Sequence, residues 1–116
     1  MTPDEMFKQY RLLNPMANDY SHAIFSDYIN FDDILSDKIS SIIIPAFIFE
    51  ECGEEVPLKD DIEVFTDNKG SAIALLKITE TEIAPYFLFD KEKSPVIGKP
   101  QGDDIVIKVC FKLIFY

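Results

Sequence analysis

Basic residues are scarce in this chain: 11 Lys and Arg face 21 Asp and Glu, a formal charge of -10 over 116 residues. A field of that sign repels phosphate backbones unless the bases cluster locally, which argues against indiscriminate nucleic-acid binding. Histidine occurs once, as His22, and cysteine only as Cys52 and Cys110. None of the three has a partner at ligand spacing, so there is no basis for a zinc knuckle, a metal site or a disulfide framework, and a reducing cytoplasm is the expected setting. No apolar stretch approaches the length of a membrane span, and Met1-Thr2-Pro3-Asp4-Glu5 is acidic where an export signal is basic. The four glycines and the lysines form no phosphate-cradling loop, and no motif calls for a cofactor.

What is present is apolar: 47% hydrophobic and 13% aromatic residues are enough to offset the chain entropy lost on folding. The length fits one domain over residues 1–116, mainly helical over 1–38 and mainly β over 39–116. Thr2-Pro3-Asp4-Glu5 is a capping box with proline at the first helical position, and Met6, Phe7, Tyr10 and Leu13 give the helix it starts an apolar face. Asn14-Pro15 stops it. Residues 18–37 alternate short apolar groups with Ser, Asn and Asp, which predicts one or two short capped helices.

β character follows. Ile42-Ile43-Ile44-Pro45-Ala46-Phe47-Ile48-Phe49 is β-branched and aromatic and predicts a strand, with Pro45 marking an edge or a bulge. Ile62-Glu63-Val64-Phe65, the turn Asp67-Asn68-Lys69-Gly70 and a long strand over residues 72–83 predict a hairpin with a bend in its second arm. Residues 91–104 lack periodicity and predict an exposed connection. Ile105, Ile107, Val109, Phe111, Leu113 and Phe115 occupy alternate positions of a closing strand. Helices followed by strands indicate an α+β fold, with a small, partly closed β-barrel as the expected architecture.

The order of these elements carries a resemblance. Ile34-Leu35-Ser36-Asp37-Lys38, Val56-Pro57-Leu58-Lys59-Asp60-Asp61 and Ile78-Thr79-Glu80-Thr81-Glu82-Ile83-Ala84-Pro85-Tyr86-Phe87 resemble, in sequence order, three motifs of the ASCH domain family. Those motifs are a Leu-x-x-Gly-x-Lys-x-x-Thr turn, a Leu-Pro-x-x-Gly-Asp loop and a Thr-x-Val-x-x-x-Pro-Phe strand ending. The closing strand also resembles the family's, so the likeness runs through nearly the whole chain. It implies a PUA-like β-barrel with N-terminal helices and a cleft beside the Lys38 turn.

Active relatives are amidohydrolases of acylated pyrimidine nucleosides that use a Lys, a Thr and a Glu. Here the motif glycine is Asp37, its lysine falls at Ile39 or Lys38, its threonine falls at Ser41 or Ile42, and its glutamate has no clear counterpart. The resemblance therefore implies the cleft more firmly than the hydrolysis.

Several side chains are candidates for chemistry. Lys38 beside Ser40 and Ser41 would make a base and nucleophile if the lysine were desolvated; the plainer reading is a solvated lysine at a helix end. His22 reads as a surface or helix-packing residue. The pairs Glu50-Glu51 and Glu54-Glu55 read as solvated loop acids, and Cys52 among them as an unreactive thiol. Phe47, Phe49, Phe65, Tyr86, Phe87 and Phe89 read as core more than as stacking surfaces.

Three functions compete. The first is a binding module whose pocket, lined by Lys38, Ser40, Ser41 and strand aromatics, takes a nucleoside-like small molecule or a single-stranded RNA end under a locally positive field. The second is an interaction domain presenting acids near Asp32, Asp33, Asp60 and Asp61 to a basic protein partner. The third is residual amidohydrolysis with Lys38 as base, Ser40 or Ser41 as nucleophile and Glu80 or Glu82 relaying a proton. An exposed alternating edge strand would also favour a homodimer.

Overall fold

The computed structural model describes residues 1–89 and 91–116. Helix α1 spans Pro3–Leu13 and starts on the capping box: the Glu5 N–H donates to Thr2 Oγ1 and the Thr2 N–H donates to Glu5 Oε1, each at 3.2 Å. It buries Met6 and Phe7 against Val64 and Leu75, with Tyr10 and Phe115 beside them. Leu13, expected on that face, is 80% exposed because the last turn lies beyond the packed surface.

Residues 18–37 hold a two-residue strand β1, Ser21–His22, a 3₁₀ turn, Ser26–Tyr28, and helix α2, Phe31–Leu35. Asn30 caps α2 by accepting the Asp32 N–H at 3.0 Å. Strand β1 was not expected. It exists because the parallel pairing of Ser21 with Glu63 and His22 with Val64 satisfies its backbone, although the segment has no alternating pattern.

Strand β2 is Ser41–Pro45, and helix α3 occupies Ala46–Cys52 where the run of Ala, Phe and Ile predicted more strand. Pro45 has no N–H to extend a ladder, and beyond it the chain turns out of the sheet. Within α3, Phe49 is buried while Phe47 is 55% exposed, and helical packing overrides the β preference of the aromatics. Gly53, at φ 67, closes the helix in the left-handed conformation.

Strands β3 (Ile62–Thr66), β4 (Ala72–Pro85) and β5 (Ile105–Phe115) complete a five-stranded sheet in the order β1-β3-β4-β5-β2. All its pairings are antiparallel except β1 with β3. The expected hairpin and bend are both present: β4 shifts register against β5 at Leu75/Leu76 and at Ile78/Glu80. The sheet curls around one core that takes Ile42 and Ile44 from β2 and Phe65 from β3, but its edges β1 and β2 do not pair. The result is an α+β fold with an open, curled sheet in place of a closed barrel, since a two-residue β1 is too short to carry a closing ladder.

Residues 91–104 are more than a loose connection. Ile43 donates its N–H to Pro95 O, and Ile97 donates its N–H to Ile43 O, both at 2.9 Å, so this segment runs along the free edge of β2. Ile97 is buried. The strap covers backbone that would otherwise be open to another strand, and β5 itself is interior, paired with β2 and β4 along its first half. Among the described residues, no helix is long and apolar enough to cross a membrane.

Candidate functional site

The strap and the entry to β2 enclose a cleft of about 430 Å³. Lys38, Ser40 and Ser41 line one side, Lys91, Lys93 and Ser94 the other, and Lys108 reaches in from β5. The three residues singled out from sequence thus share one concavity. Lys91, Lys93, Lys108 and Ser94 were not foreseen, because they come from the strap and from mid-strand: the pairing of Ile43 with the strap brings the first two and Ser94 to the Lys38 turn, and its pairing with Lys108 in the β2–β5 ladder brings the third.

Backbone geometry builds that turn. Asp33 O accepts the N–H groups of Lys38 and Ile39 at 2.9 and 3.0 Å, wrapping the chain over the end of α2. Asp37 reaches the turn at φ 62, and Asp60 precedes β3 at φ 75; they are the two non-glycine residues with positive φ among the described residues. Both stand where the ASCH-like motifs set a glycine. Aspartate is among the few other residues that tolerate this region, so the turns survive the substitution.

The electrostatics are local. Among the described residues, four lysines and one carboxylate, Glu92, line a cleft in a protein of net charge -10. Lys108 Nζ lies 2.8 Å from Glu92 Oε2, and that charge-assisted hydrogen bond holds the lysine above its ordinary pKa despite partial burial. Ser41 and Ser94 share a hydrogen bond of 2.6 Å between their hydroxyls. The cleft therefore offers cations and hydroxyls to an anionic or sugar-like group.

Other candidates lie elsewhere. Glu80 and Glu82 are exposed on β4 and do not line the cleft. Glu80 and Ser41 both pair with Cys110, from opposite sides of β5, a separation of two strand spacings or roughly 10 Å. None of the aromatics lines the cleft either: Phe49, Phe65 and Phe89 are buried, while Phe47 and Phe87 are exposed and absent from its lining. The expected strand aromatics are replaced by Ile39 and Pro95. His22 is exposed on β1, its ring 6.0 Å from that of Tyr20. Cys52 is exposed at the end of α3. Asp32 and Asp33 occupy the first turn of α2, and Asp60 and Asp61 the turn before β3.

The acid that sequence reading passed over is Glu63, 6% exposed in β3 and the one buried charged residue among those described. Burial first, then the nearby Asp61 and Glu54 carboxylates, push its pKa up to about 8. In the sequence it is one residue of the alternating run Ile62-Glu63-Val64-Phe65. The loop after α3 lies over it, and nothing in the local pattern of β3 announces the cover.

These features define an α+β domain of ASCH-like fold. Solved structures share it, among them the following two. The ASCH domain from Lactobacillus crispatus JV V101 superposes with a TM-score of 0.69 at 14% identity, covering 97% of this chain and 94% of its own. A DUF984 protein from Enterococcus faecalis V583 superposes with a TM-score of 0.69 at 11% identity, covering 97% and 93%. No family model and no curated protein matches the chain.

Proposed function

We propose that this chain is a binding module whose cleft at the Lys38 turn takes a nucleoside-like small molecule, or the end of a single-stranded RNA, without hydrolysing it. The observation that carries this reading is the gathering of Lys38, Lys91, Lys93 and Lys108 around one concavity of an otherwise acidic protein. Such focusing raises the local concentration of an anion that the rest of the surface repels. With serines and no aromatic in the lining, recognition rests on phosphate and sugar hydroxyls more than on base stacking.

Two placements support binding over hydrolysis. The Ser41 hydroxyl is engaged with Ser94, and Glu80 and Glu82 stand across β5 from it. Thermal unfolding with nucleosides, nucleoside monophosphates and short RNA tests the reading, since a ligand of the folded state raises Tm by mass action. The expected result is a shift with a phosphorylated ligand that Lys38→Ala and Lys93→Ala each reduce. No shift with any of them would sink it.

A further inference from the structure

On the far side of the sheet, between the α3–β3 loop and β1, lies a cleft of about 280 Å³ with the opposite electrostatic character. Glu54, Glu55, Asp61 and Glu63 line it, and no basic residue does. Glu63 supplies the observation that surface acids alone would not. The residue is 6% exposed, and no described residue gives it a hydrogen bond or an ion pair. Among the described residues no fully enclosed side-chain oxygen lacks a partner, so the Glu63 carboxyl opens into this cleft.

A buried acid without a partner destabilises a fold, and nothing in the local packing offsets it. We propose that the cleft binds an alkylammonium group, with Glu63 at its floor and Glu54 and Asp61 at its rim. An ammonium offers three donors for carboxylates spread around the walls. Val56, Pro57 and Leu58 supply apolar lining for the methylenes behind it. A neighbouring cleft shares Ser21 and Asp61 and adds Asp19 and Asp60, so a second amine on the same ligand also meets carboxylates.

Binding is coupled to a proton. The titratable groups facing Glu63 are Asp61, Glu54 and Glu55; β1 and β4 present Ser21 and Leu76, which do not titrate at these pH values. An ammonium beside Glu63 favours its ionised form, so capture near neutral pH expels the proton that burial keeps there.

Calorimetry of the full chain near neutral pH, at about 150 mM salt to screen the general surface charge, tests this with two probes. One is spermidine and the other a short lysine peptide. Binding is expected with a heat that varies with the ionisation enthalpy of the buffer. Glu63→Gln is expected to weaken it by roughly tenfold or more, while a D32N/D33N double variant on α2 changes it by less than about twofold. Tighter binding of spermidine assigns the site to a small polyamine, and tighter binding of the peptide assigns it to a protein lysine. Absence of binding by both probes overturns the proposal, as does equal binding by E63Q and the parent. A melt of E63Q confirms that it is folded; if it is not, E54Q/D61N is expected to show the same loss, and full binding by that variant overturns the proposal instead.

Discussion

The hydroxyls of Ser41 and Ser94 meet at 2.6 Å although 53 residues separate them in the chain. That contact ties the strap to the start of β2 at the mouth of the lysine-lined cleft, beside the backbone pairing of Ile43 with residues 95–97. Ser94→Ala removes one neutral, partly buried hydrogen bond and is expected to cost about 1 kcal/mol. Hydrogen exchange should show faster opening at the Ile97 amide, which bonds to Ile43 O, with little change at amides in the centre of β4.

Glu92 is the one carboxylate that lines the cleft among the described residues, and it occupies Lys108 at 2.8 Å. Glu92→Gln frees that lysine and removes a like charge from the path of an anion, so affinity for a nucleoside monophosphate should rise by about threefold to tenfold. Lys108→Ala should lower it by a similar factor. Titration calorimetry of both variants checks the pair, and an unchanged affinity in both would remove Lys108 from the binding surface.

Glu63 makes stability depend on pH with a definite sign. Its folded pKa of about 8 lies above the ordinary 4.5. The folded state therefore holds a proton that the unfolded state has lost across that interval. Stability from this group is fully present below the lower value and is lost as pH rises through the upper one. Glu63→Gln should leave Tm near that of the parent under acidic conditions and raise it by several kelvin at alkaline pH, since each pH unit between the two values is worth about 1.4 kcal/mol. Parallel melts of the two proteins across pH give the answer; a constant difference would contradict the raised pKa.

The left-handed turns discriminate among substitutions. Asp60→Gly should keep stability within about 1 kcal/mol of the parent, because glycine adopts φ 75 freely but also loosens the unfolded chain. Asp60→Val forces a β-branched residue into that region and should cost about 1–2 kcal/mol. Denaturant midpoints of the two variants separate backbone strain from the loss of the exposed Asp60 contact with Lys77 at 3.6 Å, which both remove.

Thr2→Ala deletes one half of the α1 capping box and is expected to cost about 1 kcal/mol. The loss should appear in the same unfolding transition as the rest of the chain, because Met6 and Phe7 couple α1 to Val64 and Leu75. A separate, earlier transition would mean that α1 is not held by that packing.

Local chemistry alone determined several parts of this protein. A hydroxyl, a proline and a carboxylate in sequence start α1; Asp67 to Gly70 turn the hairpin; and strict alternation from Ile105 to Phe115 makes a strand. The Lys38 turn was legible too, through its order relative to the other motifs. Each of these depends on neighbours a few residues apart, where sterics and hydrogen bonding act without reference to the rest of the fold.

Tertiary structure decided the remainder. Ala46 to Cys52 carries strand-like residues but becomes a helix because Pro45 ends the edge ladder and Phe49 finds the core. Lys91 and Lys93 join Lys38 only because the strap pairs with β2, Lys108 joins them because β5 does, and Glu63 is buried because the α3–β3 loop lies over it. Long-range pairing determines which charges are neighbours and which lose water. Those are the two quantities that set the character of both clefts.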